Sequence, residues 1–337
     1  MTFLNEINEQ PQALQAWALW SSRPDVTTPI REFLSQHAHR RIIFSGMGSS
    51  LFSAMTAAHL LHQNGRVCQV CDAQELLSHY TSLLDDQALF VLISQSGTSA
   101  EPLQLAQQMP GRYLAITNQP DSPLARMAAG TIPLCAGAEH HTTSKTYTNS
   151  IAALLSVARW LMDDPSSAEN LWRQAAEEMA RLIRCAHDYL PAVLATLQEC
   201  TSVAIIGSGA SLANACQAQL VLTEVAHLPA IAYTPGQFLH GPIEAIDRRF
   251  CAIVLDTMAG EGQTDKIIDE IMRYEGRVVC ISTKPETAAR DGIASIPLRW
   301  PLPMFAEVLE IVPIELLADS LAMAKGLEPG RLLRTQK

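Results

Sequence analysis

Charge is sparse in this sequence, and basic charge sparser still. Charged residues are 17% of the chain, and 24 Lys and Arg face 34 Asp and Glu, for a net charge of −10. Such a surface repels nucleic-acid phosphates and anionic lipid, so neither is an expected partner. Aromatics are also few, at 6%. No apolar run reaches the ~18 residues of a membrane span. The opening MTFLNEINEQPQ carries two glutamates and no basic stretch, so it does not read as a signal peptide. The eight cysteines lack framework spacing, which fits reduced thiols in the cytoplasm rather than a disulfide scaffold. Cys68 and Cys71 form a lone C-x-x-C. Zinc would need a second ligand pair, and a redox motif would open a helix. These two flank a short strand, so they read as structural.

What is present is apolar and periodic. Apolar residues make up 48% of 337, enough for large cores in about two domains. Helices are expected over 12–21 and 28–38. Strands are expected over 41–44, 67–70, 89–93, 113–117 and 131–134, alternating with helices over 51–63, 73–80, 100–108 and 122–129. Continuous apolar strands separated by helices predict a parallel sheet covered on both faces. A helical stretch over 145–198, interrupted near Asp163-Asp164-Pro165, joins this half to a second. There, strands are expected over 202–206, 251–255, 277–281 and 293–296, with helices over 212–226 and 313–325. The segments RIIFSGMGSSLFSA and SVAIIGSGASLANA share a strand, a Gly/Ser turn and a helix. The period of about 160 residues predicts a duplicated domain, not a solenoid. The fold class is therefore α/β, with two tandem doubly wound parallel sheets. The expected boundaries are 1–160, 161–325 and a basic tail, 326–337.

Ligands of open α/β sheets bind at the carboxyl ends of strands, where helix N-termini favour anions. Ser94-Gln95-Ser96-Gly97-Thr98-Ser99 puts four hydroxyls and one amide directly after a buried strand. A phosphate monoester offers acceptor oxygens to match. The plain alternative is that these hydroxyls cap the next helix, but a cap needs only one side chain. Gly46-Met47-Gly48-Ser49-Ser50 lacks the third glycine of a dinucleotide loop, and no acidic residue ends the next strand in the ribose-binding manner. Gly207-Ser208-Gly209 falls short likewise, so a dinucleotide oxidoreductase is disfavoured.

These residues resemble the SIS (sugar isomerase) domain family, including the isomerase half of glucosamine-6-phosphate synthase, along nearly the whole chain. Leu4 to Pro11 is similar to that isomerase's E-I-x-E-Q-P entry segment. Gly48-Ser49-Ser50 resembles its G-T-S loop, and Ser94-Gln95-Ser96-Gly97 matches its S-Q-S-G phosphate loop, with Ser99 at the following hydroxyl position. Ala136-Gly137-Ala138-Glu139 and Thr143-Ser144-Lys145 resemble A-G-x-E…S-T-K, one residue shorter. Leu222-Thr223-Glu224 and Leu239-His240-Gly241-Pro242 resemble the helix glutamate and the H-G-P segment. The resemblance implies phosphate held by the first domain, with catalytic groups from the second domain and the tail. The synthase's glutaminase domain finds no room in 337 residues, so ammonia drawn from glutamine in cis is not expected. Val221 stands where the synthase has a lysine, and Arg334 is the nearest match to its tail lysine. Lys325 and Lys337 are the possible substitutes.

Moving a proton between C1 and C2 of a sugar needs a base beside the carbons and a polariser for the oxygen. Glu224 lies in an apolar helix, where pattern alone favours a solvated residue and the resemblance favours a base. His240 is in a loop suited to an acid/base; His140 and His141 read as surface-loop residues. Arg334 cannot form a Schiff base, so the nitrogen can come from the substrate. SIS deglycases of fructosamine 6-phosphates resemble this chain: a helix glutamate, a histidine in H-G-P sixteen residues later, and no tail lysine. The implied catalytic residues are Glu224 and His240. Ser50, Ser94, Ser96 and Ser99 would hold phosphate, with Ser49, Gln95, Ser144 and Arg334 also binding substrate. No cofactor and no metal are required. An aldose–ketose isomerase or amino-sugar-phosphate deaminase would use the same groups. A non-catalytic phosphosugar sensor would usually carry a helix-turn-helix, for which the first 40 residues are too short and too acidic. A homodimer or larger homo-oligomer with a shared site is expected.

Overall fold

A computed structural model describes residues 2–337, apart from 165–167, 258–262, 285–289, 301–304, 333 and 335–337. The chain forms two compact units. One holds Gln12–Glu139 and Lys145–Gln174, the other Met1–Pro11, His140–Ser144 and Ala175–Lys337. Helix α1 is Phe3–Ser21 and α2 is Pro24–His37.

In the first unit the chain alternates strongly. The elements are β1 (Arg41–Gly46), α3 (Ser49–Gln63), β2 (Cys68–Asp72), α4 (Ala73–Ser78) and β3 (Ala88–Ile93). Next come α5 (Ala100–Gln108), β4 (Tyr113–Thr117), α6 (Pro123–Arg126), β5 (Gly130–Pro133) and α7 (Lys145–Leu161). All strand pairs are parallel, in the order β2-β1-β3-β4-β5. Every residue of β3 and β4 is buried, as sheet strands covered on both faces require. Ile43, Phe90, Leu92, Tyr113 and Leu124 share one core. Helix α7 is buried throughout, and its polar side chains are bonded: Ser150 and Ser156 donate to the carbonyls of Thr146 and Ala152, and Asn149 Nδ2 donates to those of Ala13 and Leu134. It ends where Asp163 takes the left-handed conformation, at φ 56°.

Helices α8 (Glu169–Arg184) and α9 (Ala186–Leu197) follow. The joining stretch therefore breaks twice, the second time at Cys185. The second unit continues with β6 (Ser202–Ile206), α10 (Ser211–Ala226), β7 (Ala230–Tyr233), α11 (Pro235–Leu239) and β8 (Phe250–Asp256). It closes with α12 (Gln263–Arg273), β9 (Arg277–Ser282), β10 (Ile293–Pro297) and α13 (Glu307–Ala324). Its order, β10-β9-β8-β6-β7, is also all parallel. Read from the other edge it repeats the first sheet's arrangement, so the duplication seen in the sequence is a duplication of topology.

Helix α1, expected over 12–21, begins at Phe3, and β2, expected over 67–70, runs on to an acidic residue, Asp72, whose carboxylate caps α4 by accepting from the Gln74 and Glu75 amides. Two further differences have physical causes. Strand β7 was not anticipated, because it is a four-residue edge strand whose Ile231 is 54% exposed, and so it lacks a buried apolar run. Helix α13 was expected from Pro313 onward but begins at Glu307, with Pro313 inside it. That extra length carries two carboxyls into the interior.

Glu307 and Glu310 are 3% and 0% exposed. Burial, then the neighbouring Glu310, pushes the Glu307 carboxyl from 4.5 to about 8. Glu307 Oε2 has no hydrogen-bond partner among the described residues. An acid with a raised folded pKa keeps a proton that the unfolded chain has lost. Stability then falls as pH rises from about 4.5 to about 8, and levels off above. Chemical denaturation of the wild type between pH 5 and 8 should show this decline, and Glu307→Gln should flatten it. A wild-type profile parallel to that of the variant would refute the assignment.

Candidate active site

In the first sheet the connections run to opposite sides of β1 and β3, which pair directly. The crevice at their carboxyl ends is the switch point of this topology. Two helices begin there. Helix α3 follows Gly48 and carries Ser49 and Ser50, both half-buried, in its first turn; α5 follows Ser99. Neither helix has a side-chain cap at its N-cap position. The hydroxyls after β3 are therefore not explained as a cap for α5. Instead Ser94, 2% exposed, donates to Ser99 Oγ at 3.1 Å, and the Gly97 amide donates to Ser94 Oγ at 3.2 Å. Ser96 Oγ accepts from the Thr98 amide at 3.2 Å and the Thr98 hydroxyl at 2.9 Å.

The end of β4 fixes this loop. Gln95 O accepts from Asn118 N at 3.0 Å and from Thr117 Oγ1 at 3.2 Å, and Ser94 N donates to Ile116 O at 3.0 Å. Two glycines permit the approach. A Cβ on Gly46 would lie 2.8 Å from Ile93 O, so the turn after β1 lies against the end of β3. Gly97 has φ +62°, and a Cβ there would lie 2.0 Å from Ser122 Oγ. Glu139, next to this unit's carboxyl edge in sequence, accepts from Thr146 N at 3.1 Å and from the Thr146 hydroxyl, and so holds the start of α7.

The second unit has the corresponding crevice, at β6 and β8, but fills it from within. Ser211 Oγ donates to Glu310 Oε1 at 2.6 Å, Asn214 Nδ2 donates to Glu310 Oε2 at 2.6 Å, and the Thr257 hydroxyl also donates to Oε1. Burial raises the Glu310 pKa, while these three hydrogen bonds favour its charged form. Hydroxyl and amide donors thus surround a carboxylate supplied by the chain itself. Among the described residues, no carboxylate accepts from the Ser94–Ser99 hydroxyls.

The same unit holds Glu224, half-buried on α10. Its Oε2 accepts from Thr142 Oγ1 at 3.2 Å. His240 caps the C-terminus of α11 and is exposed; its ring has no hydrogen bond or ion pair among the described residues. The structure therefore places no bond between Glu224 and His240. Ser144 is fully buried, and Arg334 is exposed in the tail. Lys325 donates to Ala226 O at 2.8 Å, at the C-terminus of α10, where a cation suits the helix dipole. Lys337 lies outside the described residues. His141, expected on a surface loop, has a side chain only 17% exposed, with Nδ1 3.3 Å from Glu6 Oε2.

Thr142, Glu6, Glu307 and Glu310 carry no local signal in the sequence that marks them as parts of a site. Thr142 meets Glu224 across 82 positions, a pairing that no local pattern encodes. Burial pushes the Cys68 thiol to about 11 and raises that of Cys71, which suits structural cysteines. No described helix is long and apolar enough to cross a membrane.

Comparison with known proteins places this architecture. Residues 36–162, which span the first of the two duplicated sheets and its helices, match the SIS domain family. Glutamine–fructose-6-phosphate aminotransferase [isomerizing] of Pyrococcus horikoshii is 28% identical over 97% of this chain and 56% of its own length. The chain thus spans about half the length of the curated relatives it matches. The C-terminal domain of glucosamine-fructose-6-phosphate aminotransferase from Francisella tularensis has a TM-score of 0.81 at 22% identity, over 98% of each chain. Tagatose-6-phosphate ketose/aldose isomerase from Escherichia coli has a TM-score of 0.78 at 17% identity, over 99% of this chain and 96% of its own. These likenesses establish the fold, an α/β architecture of two tandem parallel five-stranded sheets.

Gly97 and Gly65 both have positive φ, but a Cβ on Gly65 would meet nothing within 4 Å. Gly65→Ala should therefore lower the melting temperature by only the conformational cost, on the order of 2–8 °C. Gly97→Ala should lower it further, because Ser122 and the loop after β3 must move. Differential scanning calorimetry of the pair decides this, and equal losses would contradict the packing described.

Proposed function

We propose that this chain is an enzyme acting on a 6-phosphorylated sugar, a deglycase of fructosamine 6-phosphates. One contrast carries the reading. The hydroxyls of the loop after β3 meet no carboxylate among the described residues, while in the matching crevice of the second unit Ser211, Asn214 and Thr257 donate to Glu310. A phosphate monoester would complete the first in the way Glu310 completes the second. The relatives' names fit: fructose 6-phosphate, tagatose 6-phosphate and, for a fold neighbour from Thermotoga maritima, glucosamine 6-phosphate.

In this reading Ser50, Ser94, Ser96 and Ser99 bind the phosphate, assisted by Ser49 and Gln95, and Ser144 and Arg334 contact the sugar. Glu224 takes a proton from C1; the C–H electron pair forms the C1=C2 bond, the C2=O π pair moves onto O2, and O2 takes a proton from solvent to give an enaminol. The carboxyl returns a proton to C2, and the C1=N aldimine forms. Water adds at C1, the amine leaves, and a hexose 6-phosphate remains. His240 opens the ring or protonates the departing amine. The substrate's nitrogen supports the electron shift, so no tail lysine is needed. Val221 is buried where the synthase has a lysine, and Lys325 is engaged by Ala226 O. The protein works in the cytoplasm as a homodimer, in which exposed His240 is available to a second copy.

Isomerase or deaminase chemistry is the second reading, favoured by the relatives' names. A panel of 6-phosphofructosamines beside fructose 6-phosphate and glucosamine 6-phosphate separates the two. Hexose 6-phosphate should be released from an amine conjugate, and Glu224→Gln should cut turnover at least ~100-fold while substrate still binds. Conversion of only the simple sugars would replace the deglycase with the second reading. Binding without turnover anywhere would point to a sensor.

A further inference from the structure

We infer that Thr142 is a positioning residue for Glu224, held in place by the first helix and the tail. The inference rests on the reading of Glu224 as the proton shuttle. Thr142 is 1% exposed, and its hydroxyl donates to Glu224 Oε2 at 3.2 Å. Its own amide donates to Gly330 O at 3.2 Å. The two residues before it are tied to α1. Fully buried Glu6 accepts from His140 N at 2.6 Å and His141 N at 3.3 Å. Gly330 in turn lies against this segment. It has φ +75°, and a Cβ there would be 2.9 Å from His141 Cβ and 3.0 Å from Phe3 Cβ. Three segments far apart in sequence thus converge behind one hydroxyl.

The consequence is geometric. A base that serves two adjacent carbons must present its carboxyl plane to both, and misplacement of about 1 Å is costly in rate. Tying Oε2 to a hydroxyl whose backbone is fixed on both sides restricts rotation of that plane. Thr142 reaches the reaction only through Glu224, so its removal should slow turnover without weakening substrate binding.

Two variants test this in the full chain. Thr142→Val keeps the side-chain shape and removes the donor; Thr142→Ser keeps the donor. With a 6-phosphofructosamine that the wild type converts, Thr142→Val should lower kcat about tenfold, leave KM within about twofold, and be restored by Thr142→Ser. In parallel, the 13C carboxyl resonance of Glu224, assigned by its loss in Glu224→Gln, should move in Thr142→Val and return in Thr142→Ser. Unchanged kcat, a rise in KM alone, or a loss that serine fails to restore would overturn the positioning role. If the wild type converts no conjugate, the deglycase reading fails separately. The resonance then decides the inference alone: movement in Thr142→Val upholds it, and no movement overturns it.

Discussion

Everything at the first crevice depends on backbone N–H groups that have no partner inside their own helices. Helices α3 and α5 start at the carboxyl ends of adjacent parallel strands, and neither closes its first turn with a side chain. Such an end is costly when buried and empty, and favourable when an anion sits against it. The glycines at 46 and 97 bring the loops close enough for that arrangement, and the end of β4 keeps the second loop in place.

The duplicated topology makes the constraint visible twice. The second unit has the same strand order and the same kind of Gly-led turn, where a Cβ on Gly207 would lie 2.5 Å from Ser211 O. Its side-chain donors Ser211, Asn214 and Thr257 are satisfied by Glu310, at the expense of burying two carboxyls, one of which shifts to about 8. One copy thus supplies its own carboxyl, whereas in the other no carboxylate among the described residues accepts from the matching hydroxyls.

Much of this was legible in the sequence. The buried strands over 89–93, 113–117 and 202–206 announce themselves as continuous apolar runs, and the hydroxyl loop follows one of them directly. Short edge strand β7 did not, since only Ala230 of its four residues is buried. The first turns of α13 were hidden before Pro313, and with them Glu307 and Glu310. Glu224 was found through its resemblance to a family motif, because pattern alone favoured a solvated residue. Its partner Thr142 and the Glu6 contacts behind it belong to tertiary structure. His140 and His141 show the limit clearly: adjacent in sequence, one is exposed and the other lies beside a buried carboxylate.

The most direct measurement follows hydrogen at C1. A 6-phosphofructosamine carrying two deuteriums at C1 should yield an aldose 6-phosphate with one deuterium left at C1, the other having passed to C2 or to water. That result is what proton transfer by Glu224 predicts. Release of the amine with both deuteriums retained at C1 of a ketose 6-phosphate would mean direct displacement, and would contradict the account.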